Sequence, residues 1–261
     1  MSFQQHTANG VKFYTSQVLG GVTHAFSTRA GGVSRPPFDS LNLGSSKQDD
    51  KNDILQNYAL FTAAAGIDSD TLVFTKQVHG DTVNAAKPEH RGNGFLHPSV
   101  WECDALITNH EGLALTVFWA DCIPILLYDP TAKAVGAVHA GWRGTAKANV
   151  IKAAAKMVEL YGCRDIRAAI GPGIGACCFE TRYDVVKAMR SLFGELPEYI
   201  VHSGGGRYNI DLQGINAWLL RRAGITDIDI APLCTCCLEE EFFSHRRMGP
   251  MRGIQAAVIT L

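Results

Sequence analysis

The sequence lacks the features that mark nucleic-acid-binding, membrane and secreted proteins. Its formal net charge is −1, which offers no general attraction for nucleic-acid polymers or anionic membranes. No apolar run is long enough to span a membrane, and the first residues, MSFQQHTANGVKF, lack the basic and apolar regions of a secretory signal. Internal repeats, low-complexity tracts and linkers are absent too. We therefore expect a cytoplasmic globular protein whose partners include neither a nucleic-acid polymer nor a membrane.

A second C-x-x-C motif is also missing. The chain has eight cysteines, at positions 103, 122, 163, 177, 178, 234, 236 and 237. A chain of 261 residues buries a sizeable core without disulfides, and in a reducing compartment its thiols serve packing, metal binding or catalysis. Cys234 and Cys237 form one C-x-x-C pair, whereas Cys177 and Cys178 are adjacent. The pattern does not support a structural zinc site, so we expect these cysteines to be packing or incidental thiols.

Short β-rich runs and amphipathic helical segments both occur along the chain. Apolar or alternating patterns predict strands in GVTHAFS, TLVFTKQVH, CDALIT, LALTVFWA, IPILLY, AVGAVHA, IRAAIG, IDIAP and IQAAVIT. Helical spacing predicts helices over residues 50–65, 146–161, 181–193 and 211–223. Several strands fall between the first and second helices, which argues against a doubly wound array. We predict an α/β (α+β) fold, a single domain over residues 1–261 in which helices sandwich mixed β-sheets.

Three residues with metal-binding side chains stand at predicted strand ends. His79 lies in KQVHGD, Cys122 in WADCIPI and His139 in AVHAGW, 43 and 17 positions apart. Imidazole and thiolate are the usual zinc ligands, and catalytic zinc takes three protein ligands and leaves a fourth position open. A His-Cys-His site is therefore one hypothesis, and a cysteine hydrolase that uses Cys122 with His139 as its base is another. Asp104 and Asp121 are candidates to orient the imidazoles or move protons, or else turn residues.

The stretch VGAVHAGWRGT joins a predicted strand to a predicted helix. Thr145 is a suitable N-cap for the helix over residues 146–161. A helix start has free backbone N–H groups, which favour an anion site together with Gly141, Gly144 and the cation of Arg143. Phosphate is the expected ligand. The alternative is a tight glycine turn with a solvated Arg143.

Other polar and aromatic side chains lie beside glycines or predicted strand ends. The candidate substrate contacts are Arg29, Asn42, Lys76, Gln77 and Arg143, to which FFSHRR adds Arg246 and Arg247. Each of these alone is more typical of a turn or of the surface. Trp119 and Trp142 flank two of the proposed ligands and are able to stack on a flat ring, although core packing is the commoner use of a tryptophan.

These motifs occur together in one protein family. FSTRAGGVS, SLNLG, KQVHG, DALIT, ADCIPILLYDP, AVHAGWRGT, IGPGIGACCFE and FFSHRR extend from about Thr23 to the end of the chain. The sequence resembles the YfiH-like, laccase-domain family, also called multicopper polyphenol oxidases and now regarded as purine nucleoside phosphorylases. The resemblance implies a single mixed α/β domain with layered sheets.

The resemblance further implies a zinc enzyme. Carried over residue by residue, the zinc ligands fall on His79, Cys122 and His139. The implied activities are phosphorolysis of inosine, guanosine, adenosine and methylthioadenosine and hydrolytic deamination of adenosine, so the expected partners are purine nucleosides and phosphate. Zinc accounts for deamination because it lowers the pKa of bound water. For phosphorolysis we assign the phosphate to Arg143 and the helix start, with Cys122 and Asp121 as further catalytic candidates.

The sequence departs from the family pattern in three places. Gly173 stands where many members have cysteine, His245 stands where tyrosine is common, and the segment over residues 85–102 is longer than usual. Loops of that length are functional lids or surface insertions. These departures bear on substrate preference, while the three ligands are intact.

Composition weighs against the copper-oxidase name. A multicopper oxidase needs about ten imidazoles, many in close pairs. This chain has nine histidines and no H-x-H motif. Polyphenol oxidation is thus expected only as a weak activity of Cu²⁺ taken up in vitro. The remaining alternatives are a cysteine hydrolase or peptidoglycan-editing factor that uses Cys122 and His139, and a non-catalytic binding protein.

Overall fold

The computed structural model describes residues 2–44, 49–196 and 198–261, which form three sheets and six α-helices. The strands are β1 (Phe3–Ala8), β2 (Val11–Ser16), β3 (Thr23–Ser27), β4 (Leu72–Phe74), β5 (Val83–Ala85), β6 (Ala105–Thr108), β7 (Ala114–Trp119), β8 (Ile123–Asp129), β9 (Ala134–Ala140), β10 (Arg167–Ile170), β11 (Glu180–Arg182), β12 (Ile200–Gly204), β13 (Arg207–Ile210), β14 (Ile228–Ile230) and β15 (Gln255–Thr260). The helices are α1 (Lys51–Ala65), α2 (Trp142–Ala146), α3 (Asn149–Tyr161), α4 (Tyr183–Phe193), α5 (Leu212–Arg222) and α6 (His245–Met248).

Two six-stranded sheets make up most of the fold. One has the order β1-β2-β3-β15-β7-β4 and the other β14-β10-β8-β9-β6-β5, while β11-β13-β12 form a small third sheet. Most neighbours are antiparallel, but β4 with β7, β5 with β6 and β10 with β14 are parallel. The mixed sheets confirm the predicted α/β fold class.

The two large sheets pack face to face, and helices cover their outer faces. Along β15, Ala257 and Ile259 point into the core between the sheets, while Ala256 and Val258 face α1, as the two-residue repeat of a strand requires. On the other side, Met157 of α3 packs against the second sheet. The predicted sandwich of sheets between helices is therefore confirmed.

The predicted helix over residues 146–161 corresponds to the last residue of α2 and the whole of α3, and its predicted N-cap is wrong. Helix α2 begins after the N-cap Gly141, and Ala148, with a positive φ of 54°, separates it from α3. Thr145 is buried inside α2, where its Oγ1 accepts a hydrogen bond from Asn216 Nδ2 at 2.9 Å. Because α2 already begins at Trp142, Thr145 lies inside a helix and does not cap one. The helix start in this stretch is therefore at Gly141, next to Trp142 and Arg143.

The long segment over residues 85–102 follows β5 and packs beside β4. Asn93 is buried and makes two hydrogen bonds with the backbone of Phe74. Its backbone carbonyl oxygen accepts from Phe74 N at 2.8 Å, and its side-chain Nδ2 donates to Phe74 O at 3.1 Å. The ring of His90 also packs at a tilt against that of Trp101, with ring centroids 4.3 Å apart. The segment is thus an ordered excursion on the edge of the first sheet. In the described part of the chain, no helix has the length and apolar character to cross a bilayer.

Candidate metal centre

The fold brings the three predicted metal ligands together. Cys122 immediately precedes β8, and His139 lies opposite Pro124 on the neighbouring strand β9. His79 joins them from the loop after β4, where it adopts a positive φ of 58°. The donor atoms of all three side chains lie within 4.8 Å of one another, and the two imidazole rings are almost perpendicular.

A single buried carboxylate, that of Asp104, organises this site. Its Oδ1 accepts hydrogen bonds from His139 Nδ1 at 2.8 Å and from the backbone N of His79 at 3.0 Å. Its Oδ2 accepts from the backbone N of Gly80 at 2.7 Å and of Val78 at 3.2 Å. Asp104 therefore fixes both the orientation of His139, leaving Nε2 as its ligand atom, and the loop that carries His79.

The electrostatics of the site favour a thiolate at Cys122. Burial would raise the pKa of this thiol, but the charge of His139 and hydrogen bonds from His139 and His79 lower it to about 6. Burial would likewise lower the pKa of His139, yet the charge of Cys122 and the hydrogen bond to Asp104 raise it to about 9. At neutral pH the pair is therefore a thiolate and an imidazolium, and a cation that binds here displaces the imidazolium proton.

These residues fit a metal ion with an open coordination position. Tetrahedral zinc holds nitrogen and sulfur ligands at about 2.0–2.3 Å, which places the donors within the spacing found here. His79 and Cys122 line a cavity of about 430 Å³, so an ion held by the three side chains would have room there for a further ligand. The cavity is lined by His79, Ala120, Asp121, Cys122, Trp142, Arg143, Ile174, Phe179, Leu212, His245, Arg246 and Arg252.

Three arginines give the cavity a positive lining. Arg143 is exposed and lies over the ring of Trp142, 4.2 Å from its centroid. Arg246 lies over Phe179, and its Nη1 donates to the carbonyl oxygens of Cys178 and Glu180. Burial lowers the pKa of Arg252, whose buried Nε has no protein partner in the described part of the chain. Sequence reasoning missed Arg252, because the RRMGPMRG stretch gives no sign of which arginine turns inward.

Asp121 lines the cavity, but its carboxylate is already hydrogen-bonded on both oxygens. Thr235 Oγ1 donates to Oδ1 at 2.7 Å, and the backbone N of Arg246 donates to Oδ2 at 2.6 Å. The residue has a positive φ of 89°. Asp121 thus anchors the start of α6 beside the metal ligands, and it orients neither imidazole directly.

Arg29 and Asn42, two of the predicted substrate contacts, are engaged away from this cavity. Arg29 donates to Asp39 and to the carbonyl oxygen of Glu239. Asn42 is fully buried, with its Nδ2 donating to Asp49 and its Oδ1 accepting from the backbone of Gly44 and Ile254. Both side chains therefore serve to hold loops together.

Lys76 and Gln77 lie in a separate cleft. Lys76 forms an exposed ion pair with Glu102 at 2.7 Å. Gln77 exchanges two hydrogen bonds with the backbone of Phe118. Neither residue lines the cavity beside the metal ligands, although both follow β4 shortly before His79.

The two tryptophans and the two arginines of FFSHRR also separate. Trp119 is buried between the two large sheets, whereas Trp142 lines the cavity. Arg246 lines the cavity, whereas Arg247 donates to the carbonyl oxygens of three residues: Thr235, Cys236 and Phe242. Only Trp142 and Arg246 are therefore placed to contact a molecule in the cavity.

The cysteines expected to be packing thiols are instead clustered. Cys177, Cys178, Cys234 and Cys237 bring their sulfur atoms within 4.8 Å of one another. Spacing along the chain gives no sign of this cluster, because it forms only where the segments after β10 and β14 lie side by side in the fold.

Gly141 provides the space that the metal ligands require. A Cβ at this position would lie 2.9 Å from Cys122 Sγ and 3.2 Å from His79 Cδ2. Its φ of −68° and ψ of 172° suit any residue, so Gly141→Ala is expected to fold. We expect its metal affinity to fall at least about tenfold, since even changes outside the ligand shell cost about 10- to 100-fold. Equilibrium dialysis against a metal-ion buffer measures this change.

Gly80→Ala is the matched control for this prediction. A Cβ at Gly80 would meet only Asp104 Oδ2 and Val78 Cγ2, both at an ordinary distance of 3.4 Å. Its backbone N–H to Asp104 is kept, so wild-type metal affinity is expected. Equal affinities in both variants would show that the space beside Gly141 is not limiting.

Comparison with known proteins places the chain in a family. The model of the family described as multi-copper polyphenol oxidoreductase laccase matches residues 23–261. The chain therefore belongs to this family. The family's name refers to copper oxidation. The metal-ligand set of His79, Cys122 and His139, with one thiolate and two imidazoles, is far smaller than the set that a multicopper oxidase needs.

Similar proteins carry a more specific name. The chain is 39% identical over 257 residues to a Deinococcus radiodurans protein named purine nucleoside phosphorylase, and the match covers 98% of this chain and 95% of that protein. It is 36% identical over 268 residues to purine nucleoside phosphorylase YlmD of Geobacillus stearothermophilus, with 98% and 96% covered.

Solved structures have the same fold. The crystal structure of YlmD from Geobacillus stearothermophilus superposes with a TM-score of 0.90 at 35% identity, over 99% of this chain and 98% of that one. The hypothetical protein YfiH of Bacillus licheniformis gives 0.89 at 32% identity, with 97% of each chain covered.

Proposed function

We propose that this protein is a zinc-dependent purine nucleoside phosphorylase. Its substrates would be inosine, guanosine, adenosine or methylthioadenosine with phosphate, and its products the free base and the ribose 1-phosphate. The observation that carries the proposal is a cavity whose lining holds His79 and Cys122 of the three clustered metal-binding side chains together with three arginines. The names of the similar proteins support the same reaction.

His79, Cys122 and His139 would hold the zinc ion. Imidazole and thiolate donors suit zinc, and the proton held on His139 would leave as the metal binds. When bound, zinc supplies a Lewis acid that polarises an oxygen or nitrogen of the substrate. Asp104 keeps His139 in the tautomer that presents Nε2.

The arginines would bind phosphate, and the aromatic side chains the purine. Guanidinium groups bind pairs of phosphate oxygens through two parallel hydrogen bonds. Among the described residues, Arg246 donates to the carbonyl oxygens of Cys178 and Glu180, whereas Arg252 donates only from Nη1, so Arg143 and Arg252 have N–H groups left for phosphate. Trp142 and Phe179 present flat rings to the same cavity. A phosphate oxygen then bonds to the anomeric carbon as the bond to the purine nitrogen breaks, and the base leaves with the electron pair and takes up a proton.

Adenosine deamination would be a second reaction of the same site. Zinc deaminases use imidazole and thiolate ligands together with a glutamate that transfers protons. Here Asp121 is the one carboxylate among the described residues that line the cavity, and both its oxygens already accept hydrogen bonds. We therefore expect phosphorolysis to be the faster of the two reactions.

A cysteine hydrolase is the second candidate function. The hydrogen-bonded pair of Asp104 and His139, with Cys122 beside it as a thiolate, has the order of a carboxylate, base and nucleophile. This activity would survive chelation and be lost on alkylation of Cys122. Phosphorolysis of inosine, measured as ribose 1-phosphate alongside the zinc content, would be lost on chelation and restored by zinc.

Arg143→Ala tests the assignment of phosphate. A charge-assisted hydrogen bond contributes about 1.5–3 kcal/mol, so we expect the KM for phosphate to rise about 10- to 100-fold. The KM for inosine should change much less. The measurement is the initial rate of ribose 1-phosphate formation over a range of phosphate concentrations.

Arg222→Ala is the matched control for this change. Arg222 lies over the ring of Trp218 at 4.9 Å, as Arg143 lies over Trp142, but it does not line the cavity. Wild-type kinetics are expected. An unchanged phosphate KM in Arg143→Ala would contradict the assignment of phosphate to Arg143.

A further inference from the structure

The four-cysteine cluster, Cys177, Cys178, Cys234 and Cys237, lies outside the candidate metal centre. Cys237 Sγ is 3.5 Å from Cys177 Sγ and 3.3 Å from Cys178 Sγ, and all four sulfur atoms fall within 4.8 Å of one another. Four thiolates around zinc at about 2.3 Å are about 3.8 Å apart, in the middle of this range. We propose that the cluster binds a second zinc ion through its four thiolates, as a structural site.

Two segments of the chain supply the ligands in pairs. Cys234 and Cys237 have the C-x-x-C spacing of many structural zinc sites. Cys177 and Cys178 are adjacent, but they sit in a tight turn in which the backbone N–H groups of Cys178 and Phe179 both donate to Gly175 O. This turn gives two consecutive thiols access to one point.

Backbone hydrogen bonds fix the two segments relative to each other. Thr235 N donates to Gly173 O at 3.0 Å, and Gly173 N donates to Leu233 O at 3.3 Å. Gly175 N also donates directly to Cys234 Sγ at 3.2 Å, a contact that stabilises a thiolate. The ligands are therefore held together by the surrounding fold as well as by one another.

Positive charge lies beside the cluster. A zinc ion with four thiolates carries a formal charge of minus two, which a nearby cation stabilises. Arg246 donates to the carbonyl oxygen of Cys178 at 3.1 Å, and Arg247 donates to that of Cys236 at 2.7 Å. Both guanidinium groups thus hold the backbone of the ligand segments and offset the charge of the site.

The shape of the cluster suits a metal better than a disulfide. All eight cysteines are free thiols, and Cys237 has two sulfur neighbours at nearly the same distance. A disulfide pairs sulfurs only two at a time, at about 2.05 Å, whereas a zinc ion contacts all four at once. Binding of zinc releases the thiol protons and uses all four side chains.

The site would stabilise one wall of the cavity. Ile174 and Phe179 line the cavity from the segment that carries Cys177 and Cys178. The other ligand segment is tied through Arg247 to α6, whose first residues also line the cavity. Zinc would therefore join the two segments at the back of this wall, without contacting the substrate.

Zinc content tests the proposal. Proteins are purified under reducing conditions, dialysed against zinc and then against buffer, and analysed for metal. We expect two zinc equivalents in the wild type, one in His79→Ala and one in Cys237→Ser. Cys236→Ser is the matched control, because Cys236 belongs to the same segment but not to the cluster, and it should keep two.

A measurement on the wild type covers the case in which Cys237→Ser does not fold. Cys177 and Cys237 are exposed, so an alkylating reagent reaches them when they are free thiols. As zinc ligands they are protected, and a chelator increases their rate of alkylation. One zinc equivalent in the wild type with the same alkylation rate before and after chelation would overturn the proposal, and so would a mass two hydrogens lower that shows a disulfide within the cluster.

Discussion

His79→Ala is expected to lose the ion of the candidate metal centre and, with it, phosphorolysis of inosine. Loss of a residue that hydrogen-bonds to a metal ligand lowers metal affinity or activity about 10- to 100-fold. Removing a direct ligand should have a larger effect, so we expect turnover to fall more than about 100-fold. His79 belongs to a loop and is exposed, so its removal leaves the core intact. Ribose 1-phosphate formation and metal content are measured on the same preparation.

This variant also separates the two candidate functions. His79→Ala leaves the arrangement of Asp104, His139 and Cys122 in place. A cysteine hydrolase would therefore keep much of its activity, whereas the zinc enzyme would not. His90→Ala, which alters a half-buried histidine packed against Trp101 outside the three-ligand cluster, is the control and should keep both metal and turnover. The full zinc content of the wild type and full turnover in His79→Ala would contradict the three-ligand site.

Asp104→Asn is expected to weaken both the metal centre and the fold. The carboxylate accepts four hydrogen bonds while fully buried, and an amide would turn its NH₂ group towards two of those donors. Unsatisfied buried donors cost about 1–3 kcal/mol each, so we expect the free energy of unfolding to fall by about 3 kcal/mol. That corresponds to a drop in Tm of about 6–12 °C. Metal affinity should fall about 10- to 100-fold.

The acid stability of this variant gives an independent check. Burial would raise the pKa of Asp104, but the hydrogen bonds from His139 and from the backbone of Gly80 and Val78 lower it below the ordinary value of 3.8. A group whose pKa is lower in the folded state stabilises above the unfolded value and loses that stability as pH falls through the folded value. As the pH falls below about 3.8 and through the pKa of Asp104 in the folded state, the metal-free wild type should therefore lose more stability than Asp104→Asn. Parallel acid denaturation curves, measured by circular dichroism, would contradict the role of the carboxylate.

Much of the fold was predictable because its central strands are buried on both faces. The runs of β7, β8 and β9 are nearly continuous in apolar residues, a local signal that needs no knowledge of their neighbours. Strand β1, with the sequence FQQHTA, was not predicted because it is largely exposed and lies at the edge of its sheet, next to β2. The break at Ala148 was not predicted either, because alanine gives no local sign of a positive φ.

The sequence by itself determined which side chains were available and where the central buried strands lie. It pointed to His79, Cys122 and His139 through their chemistry and their places at predicted strand ends, although β4 ends at Phe74 and His79 lies in the loop beyond it. Only the tertiary structure decided that Asp104 holds that site together, that Arg252 lines the cavity and that four cysteines converge. These contacts join residues from 24 to 60 positions apart, and such pairs leave no periodic signal in a single chain. They depend instead on how the ends of neighbouring strands meet when the sheets close over their core.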